Sequence, residues 1–251
     1  MARPLEAENL TVLRSLGALL FVIALPVLMI TSAIRFATNE EEVYYYSIST
    51  FDVPAETGVS EPELRRASRE LIAYFNSSDP AVRIRVEVDG QDEQLFSPRE
   101  VRHLEDVKDL LAVTFFVQEL ALGYVLIYVV GVFVWSAESP LRSLATQALV
   151  GCALAVAVLA AVGLLAASGF ESSWEGFHEV FFANDLWQLD PDTDRLIQMF
   201  PEEFWFRAVL FVGALVLVQV ALVATPALLY LGKARRQEER RRRLALSMQE
   251  S

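Results

Sequence analysis

The chain has 251 residues, 54% hydrophobic and 22% charged, with a net charge of −12. The hydrophobic residues are gathered into long blocks, which excludes an ordinary water-soluble domain. The acidic balance excludes a nucleic-acid surface, which needs clustered Lys and Arg. A single cysteine excludes an intrachain disulfide.

The first block, residues 12–34, reaches the ~20 apolar residues that cross ~30 Å of hydrocarbon. It is longer than the ~7–15 residue core of a signal peptide, so segment 1–34 is read as a retained first span. Segment 35–109 follows. "VYYYSIST" has strand-type residues. "SEPELRRASRELIAYF" predicts a helix with Ser60 as N-cap and Glu63 closing a capping box. "RIRVEV" at 83–88 alternates as a half-buried strand does, "DGQDEQ" reads as a turn, and "QLF" as a returning strand. These elements predict a small α+β extracytoplasmic domain, near the lower size limit for independent stability and leaning on the membrane helices.

In "SPREVRHLEDVKDLL", Ser97 is an N-cap, Pro98 fits the first helical position and Glu100 completes a capping box. The spacing predicts one helix that starts in water and continues into a second span at 110–135. His103 and Asp106 share a face of it. Gln118 and Glu119 lie within that span, where an ionisable group is a functional candidate by default. The third span, 145–170, contains Cys152 and the repeat Ala153, Ala157, Ala161, which reads as a close-packing face. Segment 171–204 is short, acidic and aromatic. The fourth span is 205–231, followed by a basic tail, 232–251.

The whole reads as an α-helical integral membrane protein, a four-transmembrane-helix bundle carrying the α+β domain between spans 1 and 2. Lys and Arg mark the cytoplasmic side. The tail "GKARRQEERRRR", Arg3 and Arg14, and Arg142 in the link "SAESPLRS" place both termini and that link in the cytoplasm. The tail either fixes topology alone or also touches anionic lipid headgroups.

The chain's two histidines, His103 and His178, both fall on the outer side and next to a span. Imidazole is the side chain whose ordinary pKa lies near neutrality. Asp106 is placed to orient His103, and Asn184 and Asp185 supply an amide and a carboxylate near His178. Trp187, Phe177, Phe181 and Phe182 line an acyl-chain groove or anchor the loop in the interface. There is no G-x-S-x-G or H-E-x-x-H, and the histidines lack ligand spacing, so neither a metal nor a cofactor is expected.

"SPREVRHLEDVKDLL" and "FHEVFFANDLWQLDPDTDRLIQMFPEEFW" resemble the two signature segments of the lipoprotein intramolecular transacylases, four-span proteins of the bacterial cell membrane. The resemblance implies that His103 and His178 are catalytic. It implies a diacylated bacterial lipoprotein as substrate, in contact with membrane lipid. The sn-2 acyl chain would pass to the α-amino group of the N-terminal cysteine, giving the lyso form. Asp106, Asn184, Asp185, Trp187 and Glu119 are the candidates for binding or orienting that substrate. The alternatives are an outer-leaflet acyltransferase or lipid hydrolase, and a non-catalytic membrane-anchored sensor or assembly protein. Oligomeric state is left open.

The charge distribution makes a direct prediction. In a Cys152→Ala background, a cysteine at position 83 is labelled by an impermeant maleimide from outside intact cells, and one at position 240 only after lysis. Labelling of both from the same side contradicts this topology.

Overall fold

The computed structural model describes residues 4–135 and 140–249, with side chains from 12 to 134 and from 141 to 248. Arg3 and positions 136–139 of the link between spans 2 and 3 lie outside the described residues. The chain begins with α1 (Pro4–Asn39), then α2 (Glu41–Thr50), α3 (Val53–Thr57) and α4 (Glu61–Phe75). A hairpin follows, β1 (Arg85–Val88) and β2 (Gln91–Gln94), leading into α5 (Pro98–Trp135). Then come α6 (Pro140–Ser168), α7 (Phe170–Phe181), α8 (Arg195–Met199) and α9 (Glu202–Gln249). Among the described residues, four helices, α1, α5, α6 and α9, are long and apolar enough to cross a membrane. They display large apolar side chains outward, such as Ile127, Leu164 and Leu222, a surface that only hydrocarbon accommodates over such lengths.

The chain divides into two compact units. The first comprises Met1–Ile30, Val117–Ala160 and Leu215–Ser251, whose described residues belong to the long helices. Phe21 stacks on Tyr128 at 4.8 Å, and the Tyr124 hydroxyl donates to the Gly17 carbonyl at 2.8 Å. Gln219 Nε2 donates to the Met29 carbonyl at 3.0 Å, tying α9 to α1. The α6 packing face is not the one that the alanine repeat suggests: Ala153, Ala157 and Ala161 are exposed, while Ala148, Gly151, Cys152 and Ala155 are buried. The reason is Gly151. A Cβ there would lie 3.0 Å from Leu25 Cδ2 and 3.3 Å from the Val22 carbonyl, so only glycine lets α6 come this close to α1.

The second unit comprises Thr31–Phe116 and Ala161–Ala214. Its core gathers Ile48, Val53, Val59, Leu64, Leu71, Val86 and Leu95 with Leu104 from α5, Met199 from α8 and Phe204 from α9. The small domain therefore has no core separate from the helix ends. Along α4, Leu64, Ala67, Ser68, Leu71 and Tyr74 are buried at helical spacing.

Three local expectations are corrected. "VYYYSIST" lies in helix α2, not a strand, because Tyr44, Tyr45, Ser47 and Ile48 all reach one core at helical spacing. Ser47 Oγ donates to the Met199 carbonyl at 2.5 Å. The turn is shorter than "DGQDEQ": Asp89 (φ 51°) and Gly90 (φ 77°) alone make it, a two-residue turn that needs positive φ twice. "QDEQ" is then strand, and Leu95 continues the pairing through its N–H to the Ile84 carbonyl at 2.9 Å. The Ser60 capping box does not form, because Glu63 turns instead to Arg66 and to the Glu87 amide.

The close approach at Gly151 predicts asymmetric tolerance on α6. Gly151→Val should lower stability by about 1–3 kcal/mol in detergent unfolding. Ala153→Val, on the exposed face, should stay within about 0.5 kcal/mol. Equal effects would refute the assigned packing face.

Candidate active site

The site is built from the first turns of α5, from α7 and from the loop at 182–194. Residues 98–109 of α5 include Arg99, Glu100, Arg102, Glu105, Lys108 and Asp109, and the apolar run of the helix begins at Leu110. The capping box at its start does form. The Ser97 N–H donates to Glu100 Oε2 at 2.6 Å, and the Glu100 N–H to Ser97 Oγ at 3.3 Å. Glu100 is only 1% exposed, and its other oxygen, Oε1, accepts the Leu196 N–H at 2.6 Å. One carboxylate thus joins the start of α5 to the start of α8. Burial raises the Glu100 pKa, opposed by these backbone bonds.

One helical turn beyond Glu100, His103 meets His178 of α7, their ring centroids 6.0 Å apart. Both rings are buried, 6% and 8% exposed. Phe182 packs edge-on against His103 at 5.3 Å and lies 5.5 Å from His178. Trp187 stacks on His178 at 4.8 Å, and Trp174 meets it edge-on at 4.7 Å. His178 Nδ1 lies 2.7 Å from the Trp174 carbonyl. A carbonyl only accepts, so Nδ1 carries the hydrogen, and in the neutral ring Nε2 holds the free lone pair. His103 Nδ1 is buried and has no hydrogen-bond partner within the protein.

The acidic and amide candidates hold the loop. Asn184 Nδ2 donates to Asp106 Oδ2 at 2.9 Å, and Asn184 Oδ1 accepts the Leu186 N–H at 3.0 Å. Asp106 therefore holds Asn184 and makes no hydrogen bond to His103 Nδ1, which corrects the expected orienting bond. The exposed Asp185 contributes its main-chain carbonyl, which accepts from Arg99 Nη2 at 2.7 Å. Arg99, His103 and Asp106 occupy one face of α5, so the outer two fasten the loop on either side of the histidine. Glu119 is not brought to this cluster. It is exposed, sixteen residues further along the chain than His103, and belongs to the first compact unit, whereas the histidines belong to the second.

Two contributors escape a reading of spacing alone. Trp174 is four residues before His178, a signal available in the sequence, but its use of a main-chain carbonyl is not. Arg99 is four residues before His103, yet its partners are 86 and 87 positions away.

The electrostatics follow from the packing. Burial pushes the His103 imidazole down from its ordinary 6.5 to about 4; His178 adds to this shift and Asp106 opposes it. Burial also pushes His178 down, opposed by its bond to the Trp174 carbonyl. Both rings are thus neutral at pH 7, and the close pair disfavours a second proton once one is bound.

The fold is that of a multi-pass membrane protein that buries two neutral imidazoles side by side in an aromatic wall. The model of the family "Lipoprotein intramolecular transacylase Lit" matches residues 19–205, and the chain belongs to this family of membrane acyltransferases. The membrane-integral Lit of Bacillus cereus has the same fold: TM-score 0.72 at 23% identity, covering 90% of this chain and 98% of that one. A structure of that protein with one histidine replaced by arginine gives 0.72 at 24% identity, covering 93% and 99%. With the histidine replaced by alanine the score is again 0.72, at 23% identity, covering 92% and 99%. An uncharacterized protein of Aquifex aeolicus is 28% identical over 204 residues, 81% of this chain and 89% of its own length.

The depressed His103 pKa has a checkable sign. The unfolded ring binds its proton more readily than the folded one, so stability is lost as pH falls from 6.5 towards about 4. In nitrogen-15 histidine spectra, His103 should titrate near about 4. Asp106→Asn should lower that value further and His178→Phe should raise it. A midpoint at or above 6.5 would contradict the buried site.

Proposed function

We propose that the chain acts on a diacylated bacterial lipoprotein, moving the sn-2 acyl chain of the diacylglyceryl group to the α-amino group of the N-terminal cysteine. The acyl chains stay in lipid and the reaction proceeds at the outer face of the plasma membrane, with both termini in the cytoplasm. The observation that carries the reading is the buried His103–His178 pair, with one tautomer set by the Trp174 carbonyl.

The amine lone pair forms the new C–N bond while the ester π pair moves to oxygen. The surplus proton on nitrogen passes to His178 Nε2. The C–O bond to glycerol then breaks, and the glycerol oxygen takes that proton back from the imidazolium. An ester and an amine become an amide and an alcohol, with His178 returned to its starting state. An α-amino group has a pKa of about 7.7–8.0, so an appreciable fraction is already a neutral nucleophile near pH 7. His103, neutral and next to His178, polarises the reacting group or helps relay the proton. Nucleophile and ester belong to one molecule, so holding them together supplies ~7–11 kcal/mol of the barrier when they are well oriented. Neither an enzyme nucleophile nor a metal enters this scheme.

His103→Ala and His178→Ala should each reduce acyl migration by roughly 10²–10⁴-fold while the protein stays inserted and folded. Mass spectrometry of a lipoprotein N-terminus, with and without each variant, reads this. An acyl-labelled lipoprotein mixed with an unlabelled one of different mass should keep its label. Label crossing to the second lipoprotein would favour an intermolecular acyltransferase.

A further inference from the structure

We propose that Trp187 is a third catalytic residue, whose indole N–H donates to the oxyanion formed when the amine adds to the ester carbonyl. The proposal rests on the transacylase reading above. Trp187 Nε1 is buried and has no hydrogen-bond partner within the protein. A buried N–H without an acceptor destabilises a fold, so one that persists calls for an explanation in function. Indole nitrogen only donates, whereas each imidazole both donates and accepts. Among the ring nitrogens of this cluster, the His178 Nδ1 hydrogen is already spent on the Trp174 carbonyl.

Position supports the same role. The attacking nitrogen and the developing oxyanion are bonded to one carbon. If that nitrogen hands its proton to His178, the oxyanion's donor must stand beside the same ring. The Trp187 ring lies face to face with His178, 4.8 Å away and tilted by 26°. It is also held before any substrate arrives. Arg99 holds the Asp185 carbonyl, Asn184 bridges Asp106 to the Leu186 N–H, and the Leu189 N–H donates to the Trp187 carbonyl at 2.9 Å. A donor in a water-poor site stabilises developing charge strongly. Because Nε1 is covered in the substrate-free protein, the substrate head group reaches it by displacing a neighbouring side chain.

Trp187→Phe tests this, because it keeps an aromatic ring to stack on His178 and removes the N–H. The expected result is a kcat lowered roughly 10²–10³-fold with KM close to that of the parent protein. The His178 titration should be unchanged, a readout that separates loss of the donor from collapse of the site. A second measurement needs no folded variant at the decisive step. In the indole nitrogen-15 spectrum of the wild-type protein, a phosphonate analogue of the diacylglyceryl ester, with its anionic tetrahedral centre, should shift the Trp187 N–H signal downfield. Wild-type kcat in Trp187→Phe, a defect confined to KM, or an indole signal unmoved by the bound phosphonate would overturn the proposal. Wild-type protein that forms no N-acyl product would instead overturn the transacylase reading and this proposal with it.

Discussion

The site depends on one buried carboxylate. Glu100 accepts hydrogen bonds from the N–H groups of Ser97 and Leu196, residues on two segments that are distant in the chain. Hydrogen bonds to a charged group contribute about 1.5–3 kcal/mol each, and removing such a partner leaves buried donors unsatisfied. Ser97 Oγ further reaches Asp194 at 3.4 Å, and Asp194 caps the turn at Asp190 through a 2.8 Å bond. The start of α5 and the end of the aromatic loop are thereby bound together. His103 is one turn above this junction, and the loop it secures carries Asn184 and Trp187. Without it, only the Arg99 and Asp106 bonds to the loop and the packing of Phe182 would hold His103 against His178.

The imidazoles then acquire their character from burial rather than from a carboxylate partner. In a triad, a carboxylate bonds the ring and stabilises its charged form. Here Asp106 acts on His103 only through its charge, and burial overrides it. His178 is oriented by a neutral carbonyl, which fixes the tautomer without strongly favouring the imidazolium. Such a pair suits the proposed reaction, in which a proton is taken up and returned within one cycle. An imidazolium stabilised by a buried carboxylate would release it less readily.

In the proposed reaction the aromatic residues serve the lipid and the chemistry together. Trp174, Phe177, Phe182 and Trp187 pack around the histidines, while Val180 and Phe181 of α7 are exposed. The wall excludes water from the imidazoles, which lowers their pKa values, and presents an apolar surface compatible with acyl chains. A polar enclosure of the same shape would hydrate the rings and lose both effects.

The sequence alone determined the features that depend on local pattern. Four apolar runs are longer than any soluble core helix needs, so they are legible without partners. Of the two capping boxes that the pattern offers, only Ser97–Glu100 forms, because Glu63 is drawn to Arg66 and the Glu87 N–H. The two histidines stood out through rarity, position and the resemblance of their flanking segments. Tertiary structure decided what depends on a partner. "VYYYSIST" has the residues of a strand, but a shared core with α4 and α8 draws its buried side chains into helical spacing. Alanines four apart look like a packing face until Gly151 allows a closer approach on another side of α6. Asp106 lies one turn from His103 yet bonds Asn184, and Glu119 shares a helix with His103 yet sits far along it. Local periodicity says which residues can face the same way. Which group each one meets is set by long-range packing and by the need of every buried donor for an acceptor.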